Sequence, residues 1–73
     1  SSNIDRQMLK QCREYILQED WESALSKANS ILEFHATNYH ALVFKGLALL
    51  HMKKNVESEK TYIQACKLDP NAP

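Results

Sequence analysis

Apolar positions along the chain gather into four stretches of helical spacing, separated by short polar breaks. Ile4, Met8, Cys12 and Tyr15 recur every three or four residues and so share one stripe of a helix over residues 4–17. Ser2 or Asn3 is its expected N-cap. Gln18-Glu19-Asp20 forms a polar turn, with Asp20 placed to cap a second helix over residues 21–34. That helix turns Ala24, Leu25, Ala28, Ile31 and Leu32 inward. Residues 35–38 connect to a third helix over residues 39–52, capped by Asn38. The third helix is apolar on most sides, through Leu42, Val43, Phe44, Leu47, Leu49 and Leu50. A helix of that kind is expected to be covered on more than one face. Lys53-Lys54-Asn55 makes the next turn, where the lysines suit the negative end of the helix before it. A fourth helix then spans residues 56–68, with Val56, Tyr62, Ile63, Ala65 and Cys66 as its apolar positions.

A longer period overlies the helical one. In a 34-residue unit beginning at Tyr39, Leu42, Gly46, Leu49, Tyr62, Ala65 and Pro70 hold places 4, 8, 11, 24, 27 and 32. Leu42, Gly46 and Leu49 share one helical face. Gly46 leaves a gap without a side chain, Tyr62 and Ala65 line the facing side of the second helix, and Pro70 ends that helix. Stepping back 34 residues places Tyr15, Trp21 and Ala24 at places 11, 17 and 20 of a first unit beginning at Asp5. The chain resembles a tetratricopeptide repeat protein, with repeats at residues 5–38 and 39–72. It departs from the family pattern at Lys45, Asn55 and Ser58 in the second unit, and at Cys12 and Ala36 in the first. Val56-Glu57-Ser58 echoes Trp21-Glu22-Ser23 at a spacing of 35, whereas the core positions fit 34. A period of 34 is adopted, with room for a one-residue difference in the turn.

Length and composition narrow the class. Seventy-three residues make one small domain or a piece of a longer chain, and a core of this size supplies only ~3–5 kcal/mol. A net charge of zero implies no general attraction to nucleic acid or to an anionic membrane. The first unit leans acidic and the second basic. Cys12 and Cys66 make neither a disulfide framework nor a metal signature, and both are expected as reduced packing residues. No signal-peptide pattern or bilayer-length apolar run is found. The expected location is the cytoplasm, with the nucleus as the alternative.

Chemistry is weighed next. His35, His40 and His51 have no cysteine or carboxylate at a spacing that builds a triad, and no pair of pairs converges as metal ligands must. No enzyme activity, metal or cofactor is expected. Lys53, Lys54, Lys60 and Lys67 are read as solvated cations near helix ends in preference to an RNA edge. Partner binding remains. The resemblance implies a concave groove lined by the first helix of each unit, at places 2, 5, 9, 12 and 13. These are Arg6, Leu9, Arg13, Ile16 and Leu17, then His40, Val43, Leu47, Leu50 and His51. The family's clamp for chaperone tails requires Lys and Asn at places 5 and 9, which hold Leu9 and Arg13, then Val43 and Leu47. A chaperone-tail adaptor is therefore not expected.

The run Asn38-Tyr39-His40-Ala41-Leu42-Val43-Phe44-Lys45-Gly46, after Trp21-Glu22-Ser23-Ala24-Leu25, further resembles the N-terminal repeats of the tetratricopeptide scaffolds of superkiller complexes. That resemblance implies a place in an RNA-decay assembly that serves the exosome. The reading is an all-α fragment of a helical solenoid, two repeats and four antiparallel helices, that binds a protein or peptide segment in its groove. The alternative is a structural segment of a longer solenoid with no partner site of its own. The outer side of the fourth helix, with Val56, Ile63 and Cys66, and the groove strip through Leu9, Val43 and Leu47 are the two surfaces expected to drive self-association.

Overall fold

Four helices and three tight connections account for residues 2–69, the part described by the computed structural model. The helices are α1 (Ser2–Leu17), α2 (Trp21–Phe34), α3 (Tyr39–His51) and α4 (Asn55–Leu68). Asp20 and Asn38 cap α2 and α3 as expected. The Ser23 N–H donates to the Asp20 carboxylate at 3.2 Å, and the Ala41 N–H to the Asn38 side-chain oxygen at 3.0 Å. The start of α1 differs from expectation: Asn3 lies inside the helix instead of capping it. Lys54 precedes α4 and offers no side-chain cap, because its ammonium has no oxygen to accept an N–H.

The turns within the two helix pairs are copies of each other. Glu19 and Lys53 take φ of 59° and 64°, the left-handed conformation that ends a helix. After each, the next residue's N–H reaches back five residues, Asp20 to the Tyr15 carbonyl and Lys54 to the Leu49 carbonyl, both at 2.9 Å. The Glu19 and Lys53 N–H groups reach back three, both at 3.0 Å. Helices α2 and α4 then begin at Trp21 and Asn55, 34 residues apart. The turn therefore keeps the 34-residue period without the one-residue difference allowed above. The echo at 35 is a coincidence of residue type.

Packing is sequential. Helix α2 lies on α1, α3 on α2 and α4 on α3; α3 also reaches α1, while α4 touches only α3. The core cluster is built from small residues: Cys12, Ala24, Ala28 and Ala48 are fully buried, with Tyr15, Ile16, Trp21, Leu25 and Phe44 packed around them. Ile31, Ala41, Leu42, Leu49 and Ala65 complete the buried apolar set. Helix α3 is thus covered on two sides, as its apolar breadth predicted. Ala48 joins the cluster with α1 and α2, and Gly46 faces α4. A Cβ on Gly46 would stand 3.0 Å from the Tyr62 ring, so that ring occupies the gap the glycine leaves.

Three expectations need correcting. Trp21, expected to be largely buried between the first unit's helices and the start of the second, is only partly so; it packs on the core, and its ring stacks on His51 at 4.0 Å with the planes 5° apart. Helix α4 leaves Val56, Ile63 and Cys66 exposed on its outer side, and the departure lies in what it buries. With a single neighbouring helix it hides one narrow stripe, Ser58, Thr61 and Ala65. The two hydroxyls are satisfied there, Ser58 donating to the Gly46 carbonyl at 2.7 Å and Thr61 to the Glu57 carbonyl at 2.8 Å. The cysteines also part company. Cys66 is exposed, whereas Cys12 is buried and its thiol donates to the Ala24 carbonyl at 3.3 Å. Burial pushes the Cys12 thiol up to about 11, against a smaller downward pull from Lys27. Pro70, expected to stop α4, lies outside the described residues; the helix ends at Leu68, with Asp69 as its C-cap.

These contacts set three expectations for the folded chain. Gly46→Leu loses about 1–3 kcal/mol by overpacking, and in a double-mutant cycle with Tyr62→Ala much of that loss disappears. Urea melts of the four proteins check it, and additive losses would show that Tyr62 is not the obstructing group. Glu19→Gly and Lys53→Gly each gain up to about 1 kcal/mol, because glycine accepts positive φ without strain. Lower melting temperatures in both would count against that. A thiol reagent labels Cys66 at once and Cys12 only as the chain unfolds. Because the Cys12 pKa is raised in the folded state, its contribution to stability is full below its ordinary value of 9.0. It is then lost as pH climbs toward about 11. Alkaline melts of wild type against Cys12→Ala read this directly.

Candidate functional site

Surface left over by the core packing opens into a cleft between α1 and α3. Arg6, Leu9, Lys10 and Arg13 line it from α1, and His40 and Phe44 from α3, around a volume of about 360 Å³. The spacing explains the lining. Arg6, Lys10 and Arg13 stand four and three residues apart and share a face of α1, while His40 and Phe44 stand four apart on α3. Leu9 is half-buried between the cations, and Phe44 reaches inward to touch the small-residue cluster. The cleft therefore has an apolar floor and a basic rim. Its only ionisable lining groups are Arg6, Lys10, Arg13 and His40, none of which carries negative charge.

Of the ten groove residues named from the sequence, four meet in this cleft: Arg6, Leu9, Arg13 and His40. The other six lie elsewhere. Ile16 is packed against the core cluster. Val43 and Leu47 are half-buried on α3 and do not line the cleft. Leu50 is 46% exposed and belongs to a second hollow, shared with Asn55, Ser58, Glu59, Tyr62, Ile63 and Cys66. Of the remaining two, Leu17 projects into solvent at the end of α1, and His51 is held in its stack on Trp21. Lys10 and Phe44 were missed as lining residues. The signal for Lys10 was present in the arithmetic of Arg6, Lys10 and Arg13. Phe44 reads in the sequence only as one of the apolar positions of α3, because an aromatic on a broadly apolar helix gives no sign that one edge stays open.

Ala24, Gly46 and Ala65 are buried, while Tyr15, Trp21 and Tyr62 are partly so. Burial also raises the Tyr62 phenol above its ordinary value. A separate tie sits at the other edge of α1, where His35 and Asp5 stand 3.1 Å apart and join the end of α2 to the start of α1. Asp5 is thereby turned away from the cleft's cations.

With this arrangement in place, the chain can be set against known proteins. Superkiller protein 3 of Schizosaccharomyces pombe is 36% identical over 64 residues, covering 88% of this chain. Superkiller complex protein 3 of Homo sapiens is 28% identical over 71 residues, or 97% of the chain, and tetratricopeptide repeat protein 37 of Xenopus laevis 28% over 64 residues. The chain is related to tetratricopeptide repeat proteins. It spans only 4–5% of the length of these relatives. No protein-family model matches the chain. No solved structure matches it either. The four helices, with α1 and α3 lining one face and the turn geometry repeated at 34 residues, agree with the relationship.

Proposed function

We propose that this chain is a protein-interaction module whose cleft between α1 and α3 receives a segment of a protein partner. The observation that carries the reading is the cleft itself: an apolar floor of Leu9 and Phe44 inside a polar rim, on helices fixed by their backs to the core. A surface of this composition favours a peptide with at least one apolar side chain. The relative from Homo sapiens is named for a superkiller complex, which supports a setting in a multi-protein assembly. Service in RNA decay, as the resemblance implies, is the finer form of this proposal. Binding, with no catalytic step, is the function proposed, and the cytoplasm is the proposed location.

A second reading is favoured by the hollow on α4. Stepping its lining residues Leu50, Ser58 and Tyr62 back by 34 gives Ile16, Ala24 and Ala28, which belong to the surface that packs with Phe44 and Ala48 of α3. The hollow therefore corresponds to a helix-receiving face. Leu50 at 46% exposed and Ile63 at 48% keep it apolar. In this reading the chain extends a solenoid and takes another helix there, either from a longer chain or from a second copy of itself.

One pair of variants separates the two. Leu9→Glu abolishes capture of protein partners by the immobilised chain, and Ile63→Glu leaves capture intact while lowering concentration-dependent self-association in sedimentation. Circular dichroism confirms that both variants fold. Capture that survives Leu9→Glu and fails with Ile63→Glu would transfer the partner site to α4.

A further inference from the structure

We propose that the cleft between α1 and α3 selects an acidic protein segment that carries an apolar anchor; this rests on the reading of that cleft as a partner groove. Arg6, Lys10 and Arg13 place three cations along one face of α1, about 10 Å from end to end at a rise of ~1.5 Å per residue. None of them makes an ion pair among the described residues. Of the two carboxylates on the same helix, Asp5 faces His35, and Glu14 forms no ion pair among the described residues. The rim is therefore a set of uncommitted positive charges, and His40 adds an imidazole from the opposite wall. Between these groups Leu9 and Phe44 present the apolar floor. Carboxylates spaced along a peptide satisfy the guanidinium groups of Arg6 and Arg13 by paired hydrogen bonds, and a Leu or Phe between them covers the floor.

An RNA strand also carries negative charge, but the distribution of charge favours a peptide. The whole chain has no net positive charge, so it lacks the broad basic field that nucleic-acid binding draws on. The remaining cluster of lysines, Lys53, Lys54 and Lys60, sits on the second turn and α4, and α4 makes no contact with α1. The basic rim is thus a short island and does not extend into a track along which a phosphate backbone could run. Three or four charges around an apolar floor match a short acidic motif.

Fluorescence anisotropy with four labelled probes tests this: a synthetic peptide with Glu residues flanking a central Leu-Phe, the same peptide with Gln for Glu, the same with Lys for Glu, and an oligouridylate. The Glu peptide is expected to bind about tenfold more tightly than the Gln peptide, and to weaken with added salt. An Arg6→Glu, Arg13→Glu double variant, shown by circular dichroism to be folded, loses about tenfold or more for the Glu peptide. It gains affinity for a version carrying Lys in place of Glu, a reversal that a merely unfolded variant cannot produce. Equal binding of Glu and Gln peptides overturns the acidic preference; if that binding is lost in Leu9→Ala, the partner groove survives without it. Tighter binding of the oligouridylate, lost in the double variant, overturns the proposal in favour of nucleic acid. Binding of no probe at all overturns it too, while the capture experiment with Leu9→Glu decides separately whether the cleft is a partner groove.

Discussion

How closely α3 approaches the helices on either side of it controls the rest of the structure. On one side the contact is made by Cys12, Ala24, Ala28 and Ala48, none of which has a side chain longer than three heavy-atom bonds from the backbone, and all of which are fully buried. On the other side Gly46 yields its whole side-chain volume to the Tyr62 ring. Small residues at a crossing bring two helix backbones together, so larger neighbours such as Tyr15, Trp21, Leu25 and Phe44 close around the contact instead of holding it open. A chain of this length has few apolar residues to spend in a core. Close approach lets those few exclude water over a larger fraction of their surface.

That constraint also explains why polar residues are tolerated at the α3–α4 contact. Ser58 and Thr61 occupy buried positions where the pattern of apolar residues gave no hint of burial. A buried hydroxyl is costly only when it lacks a partner. Each here donates to a backbone carbonyl, Ser58 across the contact to Gly46 and Thr61 back along its own helix to Glu57. Serine differs from the alanine usual in the family by one oxygen, and the Gly46 carbonyl is positioned to accept its proton. The departure from the repeat pattern is thus accommodated by geometry at its own site.

The contrast between what the residues announced and what they hid follows from the same physics. Helix existence, the caps Asp20 and Asn38, and the pairing of Gly46 with Tyr62 were legible, because spacing and capping are local and chemically specific. The repeat period was legible too, and the matched left-handed residues Glu19 and Lys53 show it in the backbone although their side chains have opposite charge. The buried face of α4 was legible at Ala65 but not at Ser58 or Thr61. Periodicity ranks faces by apolarity, yet a helix with one neighbour buries whatever face the connection turns inward, and on α4 that face is Ser58, Thr61 and Ala65. The groove was partly legible for a related reason. Family spacing identified Arg6, Leu9, Arg13 and His40, but the rotation of α3 that brings Phe44 to the cleft and leaves Val43 and Leu47 off it depends on tertiary packing alone.

The two open surfaces of the chain differ in a way that bears on their roles. The outer face of α4 is apolar through Val56 and Ile63, which stand 71% and 48% exposed, with Glu59 and Lys60 beside them in near balance of charge. A surface of that kind gains free energy from any apolar cover and discriminates little between covers. The cleft between α1 and α3 has a small apolar floor and a rim of one sign. Its apolar part alone cannot supply much affinity, so discrimination must come from groups that satisfy the rim, and a wrong partner leaves cations facing uncharged or like-charged groups. In the proposed function, stacking and recognition therefore fall on different faces of α3 and its neighbours. The core that holds α3 in place is what allows one helix to serve both.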